Sequence, residues 1–165
     1  MNMRHSPSHY EKVVVDTGIK TIIIHPPLSA FGALGVMFSN DKHFAVVIWS
    51  SIEVKMNSPA SVNFDLYSTT HSPMGEKLLS TFENCGSSLI FSDNSRYLSF
   101  FQWKNVPYEA QLDVLNLATG ELLTNKNDKF GVAEIIGFDD HNVVILDDPV
   151  IARSELLVPL SRLSR

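Results

Sequence analysis

One short pattern recurs along this chain, and it restricts the possible folds more than any other feature. An apolar segment, a turn rich in Ser, Asn and Asp, and a second apolar segment occupy residues 36–49 and return at residues 89–103. A shorter copy surrounds the turn at residues 138–141. Asn and Asp tolerate left-handed backbone and bond their own main chain, which favours tight turns. The pattern predicts three β-hairpins at equivalent places in a repeated unit.

A second hairpin follows each of the first two copies. Residues 60–82 and 110–126 both alternate apolar and polar residues, turn at a Gly, and resume with an acidic residue and a leucine pair. Period-two alternation with many β-branched and aromatic residues is typical of strands. The sequence therefore predicts an all-β chain of about 13 strands, in which Trp49 and Trp103 end equivalent strands. A polar tail (residues 1–11) precedes one repeat domain (residues 12–165), with units at about 12–30, 31–82, 87–126 and 131–160.

These repeats resemble WD40-like and related β-propeller blades. The resemblance is carried by FSND…FAVVIW…FDLYST…GEKLLST and by FSDN…YLSFFQW…LDVLNLATGELLT. It covers residues 31–126 well and residues 12–160 loosely, although the Gly-His and Trp-Asp signatures of true WD40 blades are absent. It implies about three four-stranded antiparallel blade-like meanders. Since a closed ring needs at least about four blades, we expect an incomplete ring: an open, partial β-propeller or packed sheets.

Composition argues against several functional classes. The net charge is −5 and the Lys and Arg residues form no cluster, so we expect no nucleic-acid partner. No apolar run approaches the roughly 18 residues that span a bilayer, so we expect no membrane contact. The N-terminal residues contain no signal-peptide core, and the single Cys85 cannot form an intrachain disulfide. A cytoplasmic location is the expectation.

No residue constellation in the sequence points to catalysis or to a cofactor. P-loop, dinucleotide-binding and nucleophile-elbow patterns are absent, and Cys85 has no basic neighbour in sequence to activate it, which favours a plain loop cysteine. His5 and His9 have helical spacing, but Pro7 lies between them. The pair Asp147 and Asp148 lacks the pattern of a calcium loop. We therefore expect a protein without catalytic residues, metal site or cofactor.

A binding surface is predicted where the repeat breaks down. The loops at residues 51–59, 104–109 and 147–153 differ between units, whereas the strands around them repeat. In a propeller meander these loops share one face, here called the loop face, with the connections between units. Acidic residues with aromatic and Met anchors favour a basic protein partner. The candidate partner-binding residues are Glu53, Met56, Glu83, Tyr108, Glu109, Asp128, Phe130, Asp147 and Asp148.

Two functional hypotheses follow from the sequence. The first is a non-enzymatic protein-binding module that uses the loop face or an open sheet edge. Its most concrete version is an immunity protein that neutralises a cognate bacterial toxin. The alternative is a small-ligand binder or enzyme with a pocket at the centre of a closed assembly. A homodimer would supply six to seven blade-like units for that closure.

Overall fold

The computed structural model contains twelve β-strands and one short 3-10 turn, and it has no α-helix among the residues it describes. The structure describes residues 13–16, 21–24, 30–51, 61–70, 77–104, 109–126, 130, 133–147 and 154–165. The strands are β1 (Val13–Asp16), β2 (Thr21–Ile24), β3 (Ala30–Phe38), β4 (Phe44–Ser51), β5 (Val62–Ser68), β6 (Lys77–Phe91), β7 (Tyr97–Trp103), β8 (Ala110–Asn116), β9 (Leu122–Thr124), β10 (Ala133–Phe138), β11 (Asn142–Asp147) and β12 (Ser154–Pro159). The all-β prediction is confirmed.

The strands form three antiparallel sheets in chain order. β1 and β2 form an N-terminal hairpin, β3 to β9 form a seven-stranded sheet, and β10 to β12 form a three-stranded sheet. All neighbouring strands pair with the next strand in sequence, which is the meander expected of propeller blades. No helix in the described part of the chain has the length and apolarity that a membrane crossing requires.

The long strand β6 belongs to two blades. Residues 77–85 pair with β5, and residues 85–91 pair with β7, with a register irregularity after Cys85. Asn84 has a left-handed backbone (φ 56°), which Asn adopts more readily than most residues. We call β3 to β5 with residues 77–85 blade 1, residues 85–91 with β7 to β9 blade 2, and β10 to β12 blade 3. The connection predicted at residues 83–87 is thus the middle of a strand, which explains why the described residues form twelve strands rather than about 13.

Three apolar clusters hold the stack together, one at each junction between successive units (the hairpin, blade 1, blade 2 and blade 3). Ile24 joins Trp49 and Tyr67 between the hairpin and blade 1. Phe64, Phe82 and Phe100 meet between blades 1 and 2, with ring centroids 4.8–5.0 Å apart. Between blades 2 and 3, the cluster is formed by Phe101, Leu112, Val114, Ile135, Val143, Ile145 and other apolar residues. Blade 2 is therefore buried on both faces.

The predicted turns of blades 1 and 2 are equivalent in detail. Ser39 donates to Asp41 Oδ1 (2.6 Å), and Ser92 makes the same contact with Asn94 Oδ1 (2.8 Å). Lys42 and Ser95 hold the same place in their turns, with φ values of 62° and 57°. In both hairpins, the side-chain oxygen at the third turn position accepts a hydrogen bond from the backbone N–H two residues later, that of His43 or Arg96. The repeat is therefore present at the level of individual hydrogen bonds.

The two tryptophans differ in the face that they occupy. Trp49 follows Phe38 by eleven residues, whereas Trp103 follows Phe91 by twelve. Because side chains alternate along a strand, one extra residue reverses the face. Trp49 packs toward the hairpin and Trp103 packs toward blade 3. The predicted equivalence of the two residues therefore does not extend to their packing.

Blade 3 has three strands where blades 1 and 2 have four. The fourth position is filled by residues 77–85 in blade 1 and by β9 in blade 2, whereas β12 pairs with β11 alone among the described strands. The C-terminal residues extend blade 2 instead, because Ser164 bridges Thr124 and Arg165 contacts Glu121 and Lys126. Among the described strands, β12 is thus the last of the open arrangement predicted from the repeat count.

Replacing the two tryptophans tests their different environments. The Trp49 Nε1–H donates to Asp65 Oδ2 (2.9 Å), while the Trp103 Nε1–H has no hydrogen-bond partner among the described residues. Removing the donor to a buried carboxylate leaves an acceptor unsatisfied. We expect Trp49→Phe to lower the free energy of unfolding by at least about 1 kcal/mol more than Trp103→Phe. Urea unfolding of both variants measures the difference, and equal losses would contradict it.

Candidate functional site

Most of the predicted loop face lies outside the described residues. This applies to Glu53, Met56, Tyr108, Asp128 and Asp148. Asp147 ends β11, where its backbone is opposite Ala133 and Ser154. The role of these residues in partner binding therefore stays a prediction.

The remaining three loop-face residues have distinct environments. Glu83 is exposed on β6, and its backbone carbonyl accepts a hydrogen bond from Gln102 Nε2 (3.3 Å). Glu109 is half-buried, and its carbonyl accepts from the Lys104 N–H (3.0 Å). Phe130 is only 6% exposed and packs against Phe101 in the cluster between blades 2 and 3. The Phe130 ring is therefore part of the core, and an anchor for a partner would have to come from elsewhere.

The outer face of blade 3 supplies apolar residues that the sequence-based prediction missed. Strand register puts Ile135, Ile145 and Val158 on the side that meets blade 2. The opposite side carries Ile136 (46% exposed) and Leu157 (53% exposed).

Between those two residues lie the half-buried Val144 and Leu146, and Glu134 and Glu155 flank Leu146 from the two neighbouring strands. We call Glu134, Ile136, Val144, Leu146, Glu155 and Leu157 the outer face. The signal for it in the sequence is the pair of adjacent apolar residues in each of these strands (Ile135 with Ile136, Leu156 with Leu157), because such runs indicate strands with two apolar faces.

The β12 strand also presents a backbone edge. The Leu160 N–H donates to the His141 carbonyl, so even-numbered backbone groups of β12 point toward β11. The N–H and C=O groups of Glu155 and Leu157 consequently point away from β11. Pro159 lies at the end of this edge, where the absence of an N–H costs no bond to β11. We call the backbone groups of Glu155 and Leu157 the open edge.

A small cleft lies where the turns of blades 2 and 3 face each other. Its volume is about 130 Å³, and Asp93, Asp139 and Asp140 line it together with Ser92, Asn94, Tyr97, Phe138 and Leu160. At the preceding junction, Asn40 Nδ2 donates to the Asp93 carbonyl (2.9 Å) and joins the two turns. Asp93 occupies the place of Asn40 in the next turn, and its side chain lacks the amide N–H groups with which Asn40 donates. The junction is therefore acidic and rich in hydrogen-bond acceptors.

The cleft is small compared with ligand pockets, which usually have volumes of roughly 300–1,000 Å³. Asp139 is exposed, and hydrogen bonds from the His141 N–H and the Asn142 side chain lower its pKa. Its carboxylate is therefore held in the charged form. Among the described residues, no group of three or more His, Cys, Asp or Glu side chains is arranged to hold a metal ion.

Two buried carboxylates occupy equivalent positions in blades 1 and 2. Asp65 accepts from Trp49 Nε1, Tyr67 Oη (3.3 Å) and Thr81 Oγ1 (2.7 Å). Asp113 accepts from Gln111 Nε2 and Thr124 Oγ1, both at Oδ1 (2.8 Å), whereas its Oδ2 has no partner in the described part of the chain.

Burial raises the pKa of Asp113 against these hydrogen bonds and the attraction of Lys104. Asp65 is 4% exposed and Asp113 is fully buried, and neither lines the cleft. Their contacts are those of groups that fix one strand against the next.

Cys85 is an inert thiol in this structure. It is fully buried at the point where β6 passes from blade 1 to blade 2. Burial raises the pKa of the thiol to about 12, and the negative charges of Asp113 and Glu83 act in the same direction. The thiolate is the nucleophilic form of cysteine, and it is scarce at neutral pH under these conditions. Cys85 thus lies in a strand rather than in the predicted loop.

Comparisons with known proteins agree with this geometry at the level of the fold. TolB from Acinetobacter baumannii, a β-propeller, matches 96% of this chain with a TM-score of 0.57 and 13% identity. The fold is propeller-like. This chain spans only 37% of the TolB chain. Hydrazine synthase from Kuenenia stuttgartiensis matches 87% of this chain and 48% of its own, with 15% identity and a TM-score of 0.44, which is too low to support an argument. No family model and no curated protein matches the chain.

The buried thiol leads to a prediction on reactivity. At pH 8 we expect native Cys85 to react with a thiol-specific disulfide reagent at least about a hundredfold more slowly than the urea-unfolded chain, because both access and thiolate are lacking. The absorbance of the released thiolate gives both rates. Comparable rates in the native and unfolded states would contradict the assignment of Cys85 as inert.

The two shifted aspartates predict pH effects of opposite sign. The raised pKa of Asp113 means that the unfolded state ionises first, so this group's contribution to the free energy of unfolding falls as pH rises from the unfolded pKa through the folded pKa. The lowered pKa of Asp139 makes its contribution rise with pH up to the unfolded pKa.

We therefore compare the free energies of unfolding of Asp113→Asn and Asp139→Asn with that of the unsubstituted protein. Relative to it, Asp113→Asn should gain stability with rising pH, because a carboxamide carries no charge. Asp139→Asn should lose stability as pH rises, and this pH-dependent difference from the unsubstituted protein should vanish in acid. Urea unfolding between about pH 3 and 8 measures both slopes. Slopes of equal sign would show that the two carboxylates are not in opposite environments.

Proposed function

We propose that this chain is a non-enzymatic protein-binding module whose partner packs on the outer face of blade 3. The observation that carries the proposal is the exposure of Ile136 (46%) and Leu157 (53%) on a sheet face. Blade 2 buries apolar side chains on both of its faces. A partner that packs against the outer face would give blade 3 the same environment.

The size of the exposed surface restricts the kind of partner. Full burial of one large aliphatic side chain contributes about 1.5–3 kcal/mol relative to full exposure. Ile136 and Leu157 are each about half exposed, so they can anchor a complex but cannot provide a stable interface alone. Stable interfaces bury roughly 1,200–2,000 Å² in total. The partner must therefore extend over the rim of blade 3 as well.

The charge around the outer face favours a basic partner. Glu134 and Glu155 are exposed on it, and the acidic cleft lies at the junction of the same blade with blade 2. The net charge of the chain is −5. Complementary charge at a rim speeds association and selects the orientation of the partner. Nucleic acid and membrane surfaces, which are anionic, are disfavoured by the same charge. A cytoplasmic location, as expected from the sequence, is part of the proposal.

A narrower form of the proposal is an immunity protein. In that form the partner is a bacterial toxin, and the acidic loop-face residues Glu53, Glu109, Asp147 and Asp148 cover its basic active site. Charge reversal at these four positions should then weaken binding of the toxin. Unchanged affinity in the reversed protein would remove the loop face from the interaction and leave the outer face as the contact surface.

The uncovered outer face also supports a second candidate function. Two copies could pack through it and close a ring with a central pocket for a small ligand or substrate. A homodimer has twice the mass of the 18.4 kDa chain, so light scattering after size-exclusion chromatography separates the two proposals. A dimer that Ile136→Glu/Leu157→Glu converts to a monomer would favour the second. A monomer in both proteins favours the first.

The proposed function predicts which substitutions abolish capture of a partner. We expect wild-type protein, immobilised through a tag, to retain a stoichiometric basic partner from its native lysate, and Ile136→Glu/Leu157→Glu to lose it. The matched control is Leu78→Glu/Leu79→Glu, which changes two exposed leucines of β6 (50% and 41% exposed). Circular dichroism checks that all three proteins are folded.

The proposal is supported if only the wild-type protein and the Leu78/Leu79 variant retain the partner. The amount of retained partner should decline as the salt concentration rises, because exposed charges are screened. Retention of the same protein by all three would place the interaction elsewhere and contradict a role for the outer face.

A further inference from the structure

We propose that the open edge of β12 takes up an extended segment of the partner as the fourth strand of blade 3, and that this segment has three consecutive apolar residues followed by a basic one. The inference rests on the proposed function and specifies how the partner is recognised. The fourth position is filled in the other two blades, and β12 has no neighbour there among the described strands.

The backbone of β12 is arranged for such an addition. Glu155 and Leu157 each direct one N–H and one C=O away from β11, because the Leu160 N–H bonds the His141 carbonyl and backbone direction alternates along the strand. An added antiparallel strand would therefore gain up to about four backbone hydrogen bonds, as in other cases of strand addition to a sheet edge. Pro159, which has no N–H, limits pairing at the far end.

Blade 2 shows which side chains the added strand needs. β9 puts Leu122 opposite Leu115, Leu123 opposite Val114, and Thr124 opposite Asp113. The Thr124 hydroxyl satisfies the buried Asp113 carboxylate (2.8 Å). In blade 1, Thr81 stands opposite Asp65 and donates to it in the same way.

The equivalent residue of β12 is Leu156. In blade 2 the strand after the turn begins at Tyr97, and its fourth residue, Phe100, lies opposite Asp113. In blade 3 the corresponding strand begins at Asn142, and its fourth residue, Ile145, lies opposite Leu156. The added strand therefore needs an apolar residue opposite Leu156, at the position where β9 has Thr124 opposite Asp113. Val158, Leu157 and Leu156 then face three apolar residues of the added strand in succession.

Charge fixes the fourth position. Glu155 is exposed on the outer face, and Glu134 lies on the same face two strands away. A Lys or Arg directly opposite Glu155 would pair with it, and like charge there would be repulsive. Since the strand runs antiparallel to β12, the residue opposite Val158 comes first and the basic residue comes last. Residues 1–11 of the chain contain no run of three apolar residues, so the N-terminal tail does not carry this pattern, and we assign the added strand to another protein.

The test uses the full chain and the synthetic peptide acetyl-Thr-Leu-Leu-Val-Lys-Thr-amide. We expect saturable binding by isothermal calorimetry, with slower hydrogen exchange at the amides of Glu155 and Leu157. The peptide with Glu in place of Lys should bind about three- to tenfold more weakly, since one attractive cross-strand pair becomes repulsive. Glu155→Lys should reverse this preference. Ala118→Lys, which adds a positive charge at an exposed turn position between β8 and β9, should leave it unchanged.

Three results would overturn the inference: equal affinity for the two peptides, binding without protection of Glu155 and Leu157, or amides there that already exchange slowly without peptide. The last result would mean that another segment already covers the edge. If the peptide fails while Ile136→Glu/Leu157→Glu still loses its partner, only the strand addition is wrong. If the peptide binds as expected but partner capture is insensitive to the outer face, the proposed function is wrong instead.

Discussion

A β-sheet that is apolar on both faces needs a neighbour on each side, and this requirement shapes the whole chain. Blade 2 meets it fully, because the adjacent residues Phe100 and Phe101 are both buried, one against blade 1 and the other against blade 3. Each added blade satisfies its predecessor and creates the same requirement again. A closed ring would end the series. An open stack ends at a sheet whose outer side stays in contact with water, which is the situation of blade 3.

Polar contacts select the arrangement of the stack rather than driving it. The Ser88 hydroxyl donates to the Ile135 carbonyl and accepts from the Ile135 N–H (3.2 and 2.8 Å), which aligns the first strands of blades 2 and 3. Asn40 links the turns of blades 1 and 2 in a different way. Buried carboxylates add little net stability, yet their satisfied hydrogen bonds penalise any shift of register. Apolar burial therefore holds the sheets together, and a few polar groups determine how they are aligned.

Much of the fold could be predicted from the sequence, because the Ser-Asn-Asp turns and the alternation around them are local signals. The continuation of β6 through Asn84 and Cys85 could not be predicted, because Asn with a left-handed backbone is also typical of a loop. The different faces of Trp49 and Trp103 depend on a one-residue difference in their spacing from the preceding Phe, which the similar composition of the two strands does not reveal. The predicted loop face rested on variation between loops, which gives no information on burial. Phe130 was included in it for that reason, although its ring is buried. The outer face could be predicted from the paired aliphatic residues in β10 and β12, but only with the knowledge that no described sheet packs on that side of blade 3.

The shared strand β6 has a consequence for how the molecule comes apart. A loop between two repeats lets each open independently, whereas a single strand that is hydrogen-bonded to both repeats obliges them to open together. Blades 1 and 2 should therefore form one cooperative block with common hydrogen-exchange kinetics. The hairpin and blade 3 lie at its two ends, and each has a described sheet neighbour on only one side. The most protected part of the protein is then its middle, and the surface offered to a partner belongs to a unit that can open at a smaller free-energy cost.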